Sequence, residues 1–139
     1  MGVVSRTTGA VAAGQFGGGG SPAGLSTFTV GSEAADVINV QVQLKDASGS
    51  NLGQRGSIFG YLSSTSSGSA LATAPSGGAA IAGGNGLLIE QIADRAFQMV
   101  STAAGLVSIN ITEVGATTFY LVLCRPDGRL DISGAITFA

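Results

Sequence analysis

Apolar and polar side chains alternate most regularly between Leu106 and Cys124. Val107, Ile109 and Ile111 are separated by Ser108, Asn110 and Thr112, the period-2 pattern of a strand with one buried face and one wet face. From Phe119 to Cys124 the intervening positions are apolar as well, which suits a strand inside a sheet. Gly115 lies in the link and can take the positive φ of a tight reversal, so the simplest expectation is that the two runs form an antiparallel hairpin. Burying such large side chains is worth roughly 1.5 to 3 kcal/mol each as an upper bound, enough to anchor a domain only if a second sheet covers them.

The same reading predicts further strands on both sides. Residues 36–44 place Ile38, Val40, Val42 and Leu44 on one face and Asn39, Gln41 and Gln43 on the other. Shorter strands are predicted over 25–30, 57–63, 87–92, 96–101 and 130–138. Asp46-Ala-Ser-Gly49 and Arg125-Pro-Asp-Gly128 are turn sequences, because Asp bonds its own backbone, Pro presets φ and Gly accepts a left-handed conformation. A further turn is expected at Asp94-Arg95. Residues 64–85 are almost wholly Ser, Ala, Gly and Thr, and read as a long low-complexity loop with one weak strand near 70–74. Seven or eight short strands without an amphipathic helix predict an all-β antiparallel sandwich over 25–139.

Residues 1–24 differ in kind: they hold eight glycines and Phe16 as the only aromatic residue. Such a segment buries too little apolar surface to offset its ordering entropy, so a flexible Gly/Ala-rich arm is expected. Two readings stay open, a solvated tail or an arm that becomes ordered across a neighbouring subunit through Val3, Val4, Val11 and Phe16. Gly17 to Gly20 lack the Lys-Ser/Thr of a phosphate-binding loop. Arg6 occupies the position where a myristoylation motif needs a hydroxyl. No signal-peptide core and no apolar run long enough for a membrane helix is present, so synthesis in the cytosol without a membrane partner is expected.

Charge changes the picture more than length does. The chain of 139 residues is 45% apolar but only 10% charged, against about 25% in ordinary globular proteins. A surface so short of charge is expected to lie against other proteins. A net charge of −2 with six scattered cations argues against nucleic acid as a partner. No histidine exists, which removes the commonest general base and metal ligand, so neither an enzyme nor a cofactor is expected. The single cysteine, Cys124, excludes an internal disulfide and is expected to be a buried, inert thiol. Asp127 with Asp131, and Glu33 with Asp36, are too sparse for calcium and read as solvated turn acids. Asn110-Ile-Thr112 fits the glycosylation pattern by chance, since it lies inside an alternating strand. The neutral polar face carrying Asn39, Gln41, Gln43, Ser108, Asn110 and Thr112 is either simply wet or suited to subunit packing. Leu25, Phe28 and Val30 join Val3, Val4, Val11 and Phe16 as candidate intersubunit contacts.

Val40-Gln-Val-Gln-Leu-Lys-Asp46-Ala-Ser-Gly49, Thr102-Ala-Ala-Gly105-Leu-Val-Ser-Ile-Asn-Ile-Thr112 and Tyr120-Leu-Val-Leu-Cys-Arg-Pro-Asp-Gly128 together resemble bacterial immunoglobulin-like domains of adhesins and phage structural proteins. The whole chain is most similar to small virion proteins of tailed phages, of the head decoration or cement type. That resemblance implies an immunoglobulin-like β-sandwich, a place on the capsid surface, the major capsid protein as partner, and self-association, with a trimer expected from the symmetry of such sites. The alternative it implies is a tail, fibre or adhesin module binding a surface receptor or glycan.

Overall fold

The structure is a computed structural model that describes residues 24–139, so the arm with Val3, Val4, Val11 and Phe16 lies outside the described residues. Ten strands form among the described residues: β1 (Leu25–Val30), β2 (Val37–Lys45), β3 (Ser57–Ser63), β4 (Ala79–Ile81), β5 (Leu87–Ile92), β6 (Ala96–Val100), β7 (Leu106–Thr112), β8 (Thr118–Cys124), β9 (Leu130–Ile132) and β10 (Ile136–Thr137). One sheet has the order β1-β2-β7-β4. The other runs β10-β8-β3-β6-β5, with β9 also pairing β8. Every pairing is antiparallel. The domain is an all-β sandwich of two antiparallel sheets, as the alternation predicts.

The expected hairpin between β7 and β8 does not form. The two strands belong to different sheets, β7 beside β2 and β4, β8 beside β3, β9 and β10. Gly115 does take a positive φ of 142°, but within a link that carries the chain from one sheet to the other. Glu113 N–H donates to Asp36 C=O and pins the start of that link. The physical reason lies in the patterns themselves: β7 has one polar face and β8 has none, so they suit sheets with unlike outer surfaces.

Three other expectations change. Residues 64–85 are not a continuous loop, because Ala79–Ile81 adds to the edge of β7 in register Ala79↔Ile111. The weak strand near 70–74 is reduced to a single bridge, Ser63↔Leu71. The terminal strand divides in two: at Leu121 the N–H is bonded by the Ser133 hydroxyl oxygen and the C=O by the Ser133 N–H, and the ladder resumes at Ile136↔Phe119.

The inner faces meet in one core. Ile38, Val40, Val42 and Leu44 of β2 and Val107, Ile109 and Ile111 of β7 face Ile58 and Leu62 of β3, Phe97 and Met99 of β6, and Phe119, Leu121 and Leu123 of β8, all buried. Phe138 closes one end with its ring edge-on to Phe119, centroids 6.1 Å apart. At Gly60, in the middle of β3, a Cβ would lie 2.4 Å from Met99 Cε and 2.9 Å from the Val122 carbonyl oxygen, so the sheet passes there only without a side chain.

Candidate functional site

Each carboxylate with an assigned bond serves local structure. Asp46 Oδ1 accepts from the Ser48 N–H, the Ser48 hydroxyl and the Ser50 N–H, and the Ser48 hydroxyl chiefly holds its pKa below the ordinary value. Glu113 accepts from the hydroxyl and N–H of Ser76, whose own oxygen accepts from Val114 N–H. Asp94 closes the β5–β6 turn with φ at 59° and accepts from Ala79 N–H, while Glu90 accepts from Asp94 N–H. Glu33 accepts from Ala139 N–H. Among the described residues no group of three Cys, Asp or Glu side chains is placed to hold a metal ion.

Asp131 departs from its expected role as a solvated turn acid. Its side chain is only 10% exposed, and Oδ1 accepts from Arg125 Nε at 2.9 Å and from Nη2 at 2.7 Å. This hydrogen bond raises the guanidinium further above its ordinary pKa. Asp131 Oδ2 is buried without a partner. Cys124 is half-buried rather than enclosed, and burial raises its pKa, so the thiol stays protonated and weakly nucleophilic at neutral pH.

Two open clefts are lined by described residues. One of 620 Å³ is lined by Ser76 to Ala80, Asp94, Asn110 and Thr112; another of 250 Å³ lies among Ser64, Ala72, Glu113 and Phe119. In both, the carboxylates present are already bonded to the protein's own backbone or hydroxyls. Neither cleft brings together a nucleophile and a base.

The outer faces of the two sheets are chemically unlike. On the β1-β2-β7-β4 sheet, registers Asn39↔Asn110 and Gln41↔Ser108 align neutral polar side chains. Asn39 Nδ2 donates to Ser108 Oγ at 2.9 Å and to Asn110 Oδ1 at 2.8 Å, and Gln43 Nε2 donates to Ala104 C=O at 3.0 Å. This polar face already satisfies part of its own hydrogen bonding.

On the other sheet, register places Leu87 opposite Val100, Ile89 opposite Gln98, Phe59 between Gln98 and Cys124, and Leu130 beside Cys124. None of the strand residues alternating onto this face is charged. The chain covers part of the face itself. Gly68, in the segment between β3 and the Leu71 bridge, packs on Val122 and Leu130 and accepts a hydrogen bond from the Tyr61 hydroxyl at 2.5 Å. The region over β5 and β6 stays open, with Leu87 at 53%, Ile89 at 50% and Ile92 at 40% exposure. This uncharged apolar surface is the candidate functional site.

Of the sequence-predicted contacts among the described residues, Phe28 and Val30 point inward and pack on the core, while Leu25 sits half-buried opposite Lys45. β1 pairs with β2 of its own chain. The apolar face was not singled out from the sequence. Its signal was available in Leu87-Leu88-Ile89 and in the doubly apolar β8, where both strand faces lack charge. The chain matches no protein-family model, no curated protein and no solved structure.

Proposed function

We propose that the chain is a structural protein of a tailed-phage virion, a capsid decoration protein that sits on the head surface and bridges subunits of the major capsid protein. The observation that carries the assembly part of this reading is the uncharged apolar face over β5 and β6 on a chain with only 10% charged residues. The virion part is supported by the resemblance of the Asp46-Ala-Ser-Gly49 and Thr102-Ala-Ala-Gly105 strand junctions to phage immunoglobulin-like domains.

Strand order supports the immunoglobulin-like part. The sheets β1-β2-β7-β4 and β10-β8-β3-β6-β5 have the layout of the ABED and GFCC′C″ sheets of a variable-type immunoglobulin domain. The connectivity differs in two ways: β4 precedes β5 and β6 in the chain, and the edge strand β5 precedes β6, the strand beside β3, where the C-C′-C″ order would reverse them. The chain has neither the intersheet disulfide nor the buried tryptophan of antibody domains. We assign it no reaction; its mechanism is burial, in which many modest contacts stiffen a lattice.

Incubating the full chain with expanded capsids that lack it, followed by imaging, tests the proposal. Regular occupancy of lattice sites is expected. Binding to host-surface glycans without binding to capsids overturns it in favour of a tail or adhesin module.

A further inference from the structure

We infer that the free edge of β5, with the apolar side chains beside it, pairs with β5 of a second copy of this chain, joining two sheets antiparallel across a two-fold axis near Leu88. Among the described residues β5 forms a ladder only with β6 and ends its sheet, so alternate N–H and C=O groups along its other side have no ladder partner there. Natural edges are usually blunted by charge, proline, brevity or a break. β4 is short, β10 is separated from β9 by the Ser133 break, and the exposed positions of β1 are Thr27 and Thr29. β5 instead shows six residues without Lys, Arg or Pro; its one charge, the exposed Glu90, and its one irregularity, between Glu90 and Ile92, both lie toward the far end.

Self-complementarity argues for a second copy as the occupant. An antiparallel strand edge fits its own copy, and a neutral face does not repel itself as a charged one would. An axis at Leu88 sets Leu87 opposite Ile89 of the second copy, and the reverse, on the outer face. Glu90 then opposes Gly86 rather than its own counterpart, so like charges stay apart. The side chains contribute a few hundred Å² per copy, below the usual size of a specific interface, which places the affinity on the order of micromolar. This contact makes the self-associating unit a dimer, where reasoning from lattice symmetry expects a trimer, and it stands whether or not the assembly is a virion.

Sedimentation velocity of the full chain from about 1 to 200 μM, a range set by that micromolar expectation, tests the inference. A monomer–dimer equilibrium is expected, weakened about tenfold or more in Ile89→Lys and in Leu87→Glu. Mixing those two variants should restore a heterodimer, since residue 89 of one copy faces residue 87 of the other. Val114→Lys, at an apolar position 69% exposed and outside this face, should sediment like the parent. Hydrogen exchange on the unaltered chain gives an independent readout: the amides of β5 should gain protection as concentration rises. A chain monomeric throughout overturns the inference. So does a dimer indifferent to both charge substitutions, or one abolished by replacing Val11 and Phe16 with Ser, which would assign the contact to the arm.

Discussion

Replacing Gly60 with Ala tests whether β3 packs as closely between its sheet neighbours β6 and β8 as the structure describes. The new methyl carbon would stand 2.4 Å from Met99 Cε, 2.7 Å from Leu123 Cδ2 and 2.9 Å from the Val122 carbonyl oxygen. The first two atoms end flexible side chains and can retreat. The third belongs to the backbone of β8, which pairs with β3 through Gly60↔Leu123 and Tyr61↔Val122, so relief there strains the ladder. Overpacking of this kind costs about 1 to 3 kcal/mol. The lower entropy of the unfolded alanine chain returns about 0.4 to 1 kcal/mol, leaving a net loss of about 1 to 2 kcal/mol. For a domain of this size that is a fall in Tm of roughly 3 to 10 °C. Urea unfolding of the parent and variant measures it. Gly53→Ala is the control, since nothing lies within 4 Å of its Cβ and its φ is not left-handed; it should be neutral or slightly stabilising. A double-mutant cycle with Met99→Ala should show favourable coupling of at least about 0.5 kcal/mol, because the shortened side chain leaves room for the methyl. Gly60→Ala as stable as the parent would refute the packing argument.

Three further outcomes follow from the polar groups. Arg125→Ala should destabilise the domain more than Asp131→Ala in chemical denaturation, because the first leaves a nearly buried carboxylate unpaired and the second leaves the more exposed guanidinium; equal losses would contradict the assigned pair. Asp46 has a folded pKa below its ordinary value, so its contribution is present above about pH 4 and is lost as pH falls through the folded pKa. The melting difference between the parent and Asp46→Ala should therefore shrink on acidification below that point. Cys124, with its pKa raised by burial, should react with a thiol reagent at pH 8 several-fold more slowly in the folded chain than in denaturant; equal rates would show an unburied thiolate.

The alternation in β2 and β7 was legible because each strand has one face in the core and one outside: Val40, Val42, Ile109 and Ile111 are buried while Asn39, Gln41 and Asn110 are not. What alternation does not carry is the identity of the partner strand. Gly115 permits a tight turn locally, yet the pairing of β8 with β3 and β9 is settled by which strands share an apolar outer face. β4 escaped because Ala79-Ala-Ile81 is too short and too small to show a period, and its place is fixed by Gly78 C=O and Gly77 N–H bonding across to Thr112. The role of Asp131 was hidden for a similar reason. A carboxylate three residues past a Gly turn reads as solvated until the β8–β9 ladder sets it opposite Leu123 and within reach of Arg125.

The two outer faces explain why a chain so poor in charge should assemble rather than remain single. The Asn39 and Gln43 face turns part of its hydrogen bonding back onto the protein, so its exposure costs little. The Leu87 and Ile89 face has no such recourse, and a few hundred Å² of it held in water forgoes roughly 7 to 10 kcal/mol of burial. Association itself costs an estimated 4 to 15 kcal/mol, so one contact of this size binds weakly. A second contact made by the same copy no longer bears that full cost, because the first has already fixed its position. Marginal pairwise affinity combined with strong collective binding is what the proposed role in a lattice requires, and under that proposal dilute-solution dimerisation and capsid occupancy should differ widely in the concentration they require.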